Sequence, residues 1–325
     1  MHTAHLVGRV LPQRSIGQPI NTGGIARAMI LLDGKRIAAE IHQELAVEVA
    51  QLNSRGIEPH IALLLVGDNP ASLSYVRSKS RACEQVGIRS TVVHLPAATS
   101  EQEILAYIEQ WNADPAIHGI LVQLPLPAHV RSDTILQAIS PQKDVDGFHP
   151  VNVGRLVVGL PALLPCTPAG IVELLRLYQI RLAGKHVVIV GRSTIVGKPL
   201  ANLLVQKAPW ADAIVTVCHS GAPDLRRYTL DADVLVVAVG RAQMIRGEHV
   251  RQGAVVVDVG INRLEDASAP KGYRIVGDVD FASVAEKASA LTPVPGGVGP
   301  MTIAMLLRNT VTIAAGTAWE KPPFQ

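Results

Sequence analysis

The sequence predicts an α/β protein of two domains, the second of them a doubly wound parallel sheet. A chain of 325 residues suits two domains at roughly 100 to 200 residues each. Its composition is 48% hydrophobic but only 3% aromatic, which favours aliphatic parallel strands and helices over a β-sandwich. From Ile30 onward, short apolar runs alternate with helix-period segments, the pattern of βαβ units.

Three buried strands and two well-capped helices are predicted in the first half. Asn69 and Pro70 provide a cap and a first-turn proline for one helix, which ends at Gly87. Ser100 and Glu103 have the capping-box spacing ahead of the next helix. The predicted strands are 61–66, 90–95 and 119–124.

Repeated Pro and Gly residues within 141–168 predict a domain boundary near residue 148. A helix is expected to begin near Gly197, and the segment 291–300, LTPVPGGVGP, is expected to be irregular. A final helix over 301–315 is expected to return to the first domain. The predicted strands of the second half are 186–190, 214–218, 234–239 and 254–259. The predicted domains are 29–148 plus 296–325, and 149–295.

Residues 1–28 are predicted to form a disordered N-terminal extension. The first 32 residues contain three arginines and no acidic residue, a faint similarity to an organelle transit peptide. Pro12, Pro19 and a Gly-Gly pair break any amphipathic helix there, which favours a disordered extension or a true start at Met29.

Charge and cysteine content exclude several classes of protein. A net charge of +3 from 30 basic and 27 acidic residues provides no basic stripe for nucleic acid, and no apolar run reaches the roughly 20 residues of a membrane span. Cys83, Cys166 and Cys218 are far apart, which predicts neither disulfides nor a zinc site and favours the cytoplasm. The 11 histidines show no metal-ligand spacing, so no metal is expected.

A glycine-rich turn, GRSTIVGKP from Gly191, lies between a strand and a helix, where backbone N–H groups can approach a phosphate. The spacing does not match a mononucleotide P-loop, and Ser193 replaces the second glycine of the dinucleotide motif. A tight turn without a ligand is the alternative. Because no acidic residue ends the next strand, while Arg192 and Ser220 suit a 2′-phosphate, NADP is favoured over NAD.

Four residues suggest a catalytic site. Tyr75 and Lys79 lie four apart on one helix face, and Gln123 interrupts the apolar run ILVQLP. Asp146 lies in the loop at the domain boundary, where open α/β sheets place ligands. An amphipathic helix with a solvent-reaching lysine, and a solvated turn aspartate, are the structural alternatives.

Seven segments resemble the methylenetetrahydrofolate dehydrogenase and methenyltetrahydrofolate cyclohydrolase family, often called FolD, in the family's order. They are YVRSKSRACEQVGI, GILVQLPLP, KDVDGFHPVNVGRL, PCTPAGI, GRSTIVGKP, DVGIN and PVPGGVGPMT. The resemblance implies a Rossmann-type second domain, an NADP cofactor, tetrahydrofolate substrates and a homodimer. One departure is Ser220-Gly221-Ala222, where relatives carry a basic residue and Thr after the Ser.

The resemblance also implies residue roles. Lys79 is the catalytic lysine, with Tyr75 and Gln123 as companions, and Asp146 holds the pterin. The implied cofactor contacts are Gly191, Arg192, Ser193, Gly197, Ser220 and Ile261. The implied substrate contacts are Tyr75, Asp146, Pro295, Gly296 and Gly297.

The implied chemistry is oxidation of 5,10-methylenetetrahydrofolate, followed by hydrolysis of the methenyl product to 10-formyltetrahydrofolate. Hydride loss needs positioning but no strong protein base, whereas water attack needs one. A lysine at its ordinary pKa of about 10.4 is rarely neutral at pH 7, so a lysine base needs surroundings that disfavour its charge. The alternatives are an NADP-dependent dehydrogenase of another small substrate and a non-catalytic binding homologue.

Overall fold

Two parallel sheets organise the chain in the computed structural model, which describes residues 29–270, 272–320 and 324. One sheet has three strands and the other has six, and a two-stranded antiparallel ribbon accompanies them. The predicted extension over 1–28 lies outside the described residues. The predicted α/β class is confirmed.

The first half alternates strands and helices. Its elements are β1 (Ile30–Leu31), α1 (Gly34–Ser54), β2 (His60–Val66), α2 (Pro70–Val86), β3 (Arg89–Leu95), α3 (Glu101–Ala113), β4 (Gly119–Val122), α4 (Ser132–Ala138) and α5 (Pro150–Val157). β2 pairs in parallel with β3 on one side and β4 on the other. All seven residues of β2 are buried, as its continuous apolar sequence predicts for a central strand covered on both faces.

The second half supplies five of the six strands of the larger sheet. Its elements are α6 (Cys166–Leu177), β5 (His186–Val190), α7 (Gly197–Leu204), β6 (Ile214–Cys218), α8 (Arg226–Thr229), β7 (Val234–Val237), β8 (Val255–Asp258), β9 (Asn262–Glu265), β10 (Tyr273–Val276), α9 (Phe281–Ala285), β11 (Ala290–Leu291) and α10 (Val298–Ala314). The six-stranded order is β1-β11-β8-β7-β5-β6, with every pairing parallel. β9 and β10 form the antiparallel ribbon.

Local sequence signals account for α2. The Asn69 side chain accepts hydrogen bonds from the N–H groups of Ala71 and Ser72, and a proline occupies the first turn. Gly87 ends the helix at φ +81°, the left-handed conformation that glycine adopts without strain. The predicted bounds of this helix are therefore confirmed.

Several predicted boundaries are wrong, among them the end of the strand predicted over 234–239, which stops at Val237. The strand predicted over 119–124 ends at Val122, close to Pro125, which has no N–H group to continue the ladder. The segment 291–300 is not wholly irregular: Leu291 belongs to β11, and α10 begins at Val298. Pro300 is tolerated there because first-turn N–H groups have no partner within the helix.

A continuous buried core joins the two halves. It includes Leu45 of α1, Leu174 of α6 and Leu307 of α10, none of which is more than 1% exposed. α10 packs along α1 and α6 and also contacts the three-stranded sheet, so the predicted return of the last helix to the first half is confirmed. Packed helices therefore hold the two sheets together.

Candidate active site

Lys79 and Gln123 are brought together from α2 and the end of β4. Lys79 is only 8% exposed, and its Nζ donates a hydrogen bond to Oε1 of Gln123 at 3.1 Å. A buried ammonium or amine needs such a partner, because an unpaired one is costly. The alternative of an amphipathic helix whose lysine reaches into solvent is therefore wrong for Lys79.

The position of Gln123 is set by the sheet. Its backbone N–H donates to the carbonyl of Leu64 in β2 at 2.8 Å, which continues the ladder one residue past β4. Its Nε2 donates to the carbonyl of Leu124 at 2.7 Å. Because the amide nitrogen is thus engaged, Oε1 is the atom that faces Lys79.

Asp146 lies near Lys79, in the loop that precedes α5. Burial raises the pKa of the Asp146 carboxyl, the neighbouring Lys79 ammonium acts in the opposite direction, and the Asp144 carboxylate adds to the rise. The residue is half-buried, so a ligand can still reach it. A lysine and a carboxyl group are thereby placed within electrostatic reach of each other.

Asp144 shapes the loop that carries Asp146. This carboxylate is 3% exposed and accepts hydrogen bonds from the N–H groups of Gly147 and His149, at 3.0 and 2.8 Å. Nδ2 of Asn152 donates to it at 3.0 Å. Gly147 has φ +73°, and a Cβ there would overlap the Leu164 to Pro165 backbone, so only glycine fits the turn.

Tyr75 lies one helical turn before Lys79, as the spacing predicts. Its side chain is 37% exposed, and burial of the remainder raises the pKa of the phenol. An aromatic ring that is part covered and part open can stack on a planar ligand. No described hydrogen bond joins it to Lys79, Gln123 or Asp146.

Cys166 and Asn309 support the Asp146 loop and were not predicted as site residues. The Cys166 thiol donates to the carbonyl of Val145 at 3.1 Å, and Nδ2 of Asn309 donates to the same carbonyl at 2.8 Å and to that of Leu164 at 3.0 Å. Burial raises the pKa of Cys166 well above its ordinary value, and Asp146 adds to the rise. The thiolate is therefore disfavoured, which suits a structural thiol. The sequence signal for Asn309 is a polar residue within an apolar helix.

The Gly191 turn connects β5 to α7. A Cβ at Gly191 would overlap the Ala238 carbonyl, and one at Gly197 would overlap the Gly191 carbonyl. The Ser193 hydroxyl accepts hydrogen bonds from the N–H groups of Val196 and Gly197, at 3.1 and 3.4 Å. The chain thus makes a tight turn at a helix N-terminus, with a backbone close enough for a dinucleotide phosphate to approach.

Arg192 and His219 lie side by side near the ends of β5 and β6. Nη1 of Arg192 is 3.4 Å from Nε2 of His219, while Nδ1 of His219 accepts from the N–H of Gly221 at 3.0 Å. A Cβ at Gly221 would lie 2.8 Å from the imidazole Cε1, so the glycine in the departing Ser-Gly-Ala segment makes room for the ring. Ser220 is exposed beside this pair. His219 was not predicted as a site residue.

The remaining predicted contacts lie on the loop before α10 and on the loop after β8. Gly296, at φ +111°, accepts a hydrogen bond on its carbonyl from the N–H of Lys35 at 2.8 Å, which places the segment against the start of α1. Ile261 is 48% exposed, and a Cβ at Gly299 would lie 3.6 Å from its Cδ1. Pro295 follows a cis peptide bond, and Gly297 is buried.

A series of contacts leads from the Asp146 loop to the first turns of α10. The N–H of Cys166 donates to the Asp146 carbonyl at 3.3 Å. The next residue, Thr167, shares a hydroxyl hydrogen bond of 3.0 Å with Thr302 on α10. Thr302 lies within the first turns of α10, beside Gly299. The Asp146 loop and Ile261 are therefore linked through the start of α6 and the first turns of α10.

Two kinds of feature are absent from the described part of the chain. Within residues 29–270, 272–320 and 324, no three His, Cys, Asp or Glu side chains are grouped so that they could hold a metal ion. None of the helices in the same ranges is long and apolar enough to cross a membrane.

Family models match both halves. The model for the tetrahydrofolate dehydrogenase/cyclohydrolase catalytic domain matches residues 32–146, and that for the NAD(P)-binding domain of the same family matches 165–318. The bifunctional protein FolD of Geobacillus thermodenitrificans is 55% identical over 284 residues, which cover 87% of this chain and 96% of the relative. FolD 1 of Myxococcus xanthus is 55% identical over 287 residues, covering 88% and 98%.

Solved structures agree with these matches. The bifunctional FolD enzyme of Campylobacter jejuni superposes with a TM-score of 0.84 at 53% identity, covering 89% of this chain and 99% of that one. The Trypanosoma brucei dehydrogenase-cyclohydrolase, solved with an NADP cofactor and an inhibitor, gives a TM-score of 0.85 at 40% identity and covers 89% and 98%.

Proposed function

The chain belongs to the tetrahydrofolate dehydrogenase/cyclohydrolase family, and from that premise we propose how its own residues carry out the two reactions. The predicted family, bifunctional activity and NADP cofactor are confirmed by these matches. The enzyme oxidises 5,10-methylenetetrahydrofolate with NADP⁺ and hydrolyses the methenyl product in one-carbon metabolism. What is proposed here is the role of each side chain.

The contact between Lys79 and Gln123 carries the proposal. Lys79 is the proton acceptor for the water that attacks the methenyl carbon, and Gln123 holds its Nζ through the 3.1 Å hydrogen bond. The amide of Gln123 is itself held by the Leu124 carbonyl, so the base is positioned before the substrate arrives. Asp146 binds the polar edge of the pterin, and Tyr75 covers an aromatic part of the folate.

The dehydrogenase step depends on orientation. NADP⁺ supplies the hydride acceptor when it is bound. The Gly191 turn, with Ser193 and Gly197, would receive the pyrophosphate at the N-terminus of α7, while Arg192 and Ser220 would bind the 2′-phosphate. Ile261 contacts the cofactor, and the segment Pro295 to Gly297 borders the substrate. The Gly191 turn fits this role because side chains at its glycines would overlap the backbone.

Lys79→Met tests the assignment of the base. We expect cyclohydrolase kcat to fall at least about 100-fold, the usual contribution of a general base, while dehydrogenase kcat changes less than about tenfold. The two half reactions are assayed separately with purified methylene and methenyl substrates. Lys207→Met, a change at an exposed lysine, is the matched control and should leave both rates unchanged. Equal losses in both half reactions would contradict the role of Lys79.

The domain division is also a proposal: 29–148 plus 296–325 form the folate-binding unit, and 149–295 the NADP-binding unit. The packing of α10 on α1 supports it. Against a simple division, β1 pairs with β11 in the six-stranded sheet, and the NAD(P)-binding family model runs to residue 318. The two units are therefore intertwined at their boundary.

We place the protein in the cytoplasm as a homodimer. All three cysteines are free and buried, which suits a reducing compartment. β6 is an edge strand of the six-stranded sheet, and Ile214 and Val217 on it are 63% and 38% exposed. An apolar edge strand pairs readily with a second chain, so the β6 edges of two copies form the proposed interface.

A further inference from the structure

Asp278 is a fully buried carboxylate that does not belong to the catalytic pair. Its Oδ2 accepts hydrogen bonds from the backbone N–H groups of Val239 and Gly240, at 2.7 and 2.9 Å. Its Oδ1 accepts from the N–H of Arg241 at 2.8 Å and from Nδ2 of Asn262 at 2.9 Å. One carboxylate thus ties the loop that follows β7 to the start of β9.

Asp258, the last residue of β8, anchors the segment that carries Asp278. Its Oδ1 accepts from the N–H groups of Gly260 and Asp278, at 3.0 and 2.9 Å, and its Oδ2 accepts from that of Val279 at 2.9 Å. Burial raises the pKa of Asp258 to about 6, and the three N–H groups act in the opposite direction. The two carboxylates therefore link three chain segments at the carboxyl ends of the strands, where open α/β sheets bind ligands.

Ile261 lies between two residues that Asp278 holds. A Cβ at Gly260 would overlap the Asp278 carboxylate, so the backbone passes directly against it. On the other side, Asn262 donates its side-chain hydrogen bond to the same group. With both neighbours fixed, the backbone of Ile261 is held in place, and its 48% exposed side chain projects from a fixed point.

The Gly191 turn depends on the same carboxylate through backbone contact. The Cα of Gly191 lies so close to the Ala238 carbonyl that no side chain fits between them. Ala238 directly precedes Val239, whose N–H is bound by Asp278. The surface on which the turn rests is therefore fixed by the group that fixes Ile261.

We propose that Asp278 is a positioning residue for NADP, which holds Ile261 and the backbone beneath the Gly191 turn in the arrangement that receives the dinucleotide. The inference rests on the cofactor contacts assigned above. Asp278 touches no substrate or cofactor atom itself; it acts through the two loops. Each of its oxygens faces two N–H donors, so replacing either oxygen by an NH₂ group sets donor against donor.

Asp278→Asn in the full-length enzyme is the test. We expect the Kd for NADP⁺, measured by calorimetry without turnover, to rise at least about tenfold, because the displaced loops must be reordered when the dinucleotide binds. The KM for NADP⁺ should rise similarly, while kcat at saturating NADP⁺ stays within about threefold of wild type. Cyclohydrolase activity on methenyltetrahydrofolate uses no nicotinamide, so it should be retained.

Asp280→Asn is the matched control, because Asp280 lies two residues away and makes no capping hydrogen bond. Should Asp278→Asn fail to fold, Asn262→Ala replaces it, since that change removes only one donor to the carboxylate. Its effect on NADP⁺ affinity should depend on whether Ile261 is intact, so the double variant Asn262→Ala/Ile261→Ala should be non-additive.

An unchanged Kd for NADP⁺ in Asp278→Asn overturns the inference, as does an equal loss of both activities, which would indicate a merely structural role. A different result would contradict the proposed function: a Lys79→Met variant that keeps its cyclohydrolase activity. Binding and catalysis are measured separately, so the two failures are distinguishable.

Discussion

Hydrogen bonds to neighbouring groups orient the side chains of this site. Nε2 of Gln123 is engaged by the Leu124 carbonyl, and only then is Oε1 available to Lys79. Asp144 does the same for Asp146 by binding the N–H groups of the turn that carries it. Preorganisation of this kind reduces the reorientation needed when the substrate binds.

Asp146→Ala separates binding from proton transfer at the residue scale. Loss of a carboxylate that bonds the pterin should raise the Kd for folate about 10- to 100-fold, and both half reactions should show the raised KM. Equilibrium titration with tetrahydrofolate measures it, and Asp133→Ala on the exposed side of α4 is the control. Unchanged folate affinity would remove Asp146 from the site.

At the scale of elements, α10 fastens the first half to the second. Asn309 on this helix donates to the Val145 and Leu164 carbonyls, which belong to segments on either side of α5. The helix therefore holds the Asp146 loop against the start of α6. Thr302 on the same helix bonds Thr167 and extends this connection toward Ile261.

Asn309→Ala should lower the free energy of unfolding by about 2 to 4 kcal/mol, because two carbonyls lose a buried donor. Urea unfolding followed by circular dichroism measures the change. Asn202→Ala is the matched control, since that side chain makes one solvent-exposed hydrogen bond, to a carbonyl of its own helix. Equal, small effects of both variants would show that Asn309 does not fasten the segments.

Sequence signals predicted those elements whose limits are set by neighbouring residues. α2 begins and ends where Asn69, Pro70 and Gly87 indicate, because caps act within one turn. β1 and the β9–β10 ribbon carry no comparable signal: β1 is two residues long and exists through pairing with distant β11. The start of α10 was misplaced because its first turn contains Gly299 and Pro300.

The candidate site divides in the same way. Lys79, Gln123 and Asp146 were predicted because each lies in a segment that resembles a known family, and their side chains point to chemistry directly. Asp278 was not, since its role arises where three loops distant in sequence meet around one carboxylate. No local pattern distinguishes a buried loop aspartate from a solvated one.

At the scale of the whole molecule, the proposed dimer leaves each catalytic site within one chain. The Lys79 site is built from α2, β4 and the Asp146 loop, whereas β6 is the outermost strand of the other sheet. Pairing through β6 would bury Ile214 and Val217 without touching Lys79 or Gln123. Assembly and catalysis should therefore be separable by mutation.

Ile214→Asp should convert the dimer to a monomer, because a carboxylate buried at an apolar strand edge lacks a partner. Sedimentation velocity should show twice the chain mass for wild type and a single chain mass for the variant, with cyclohydrolase activity retained. Val92→Asp is the matched control: like Ile214, Val92 is an exposed β-branched residue on an edge strand, and it is 44% exposed on β3 of the smaller sheet. If Val92→Asp dissociates the dimer while Ile214→Asp does not, the interface lies on the three-stranded sheet. A monomeric wild type would contradict the proposed dimer altogether.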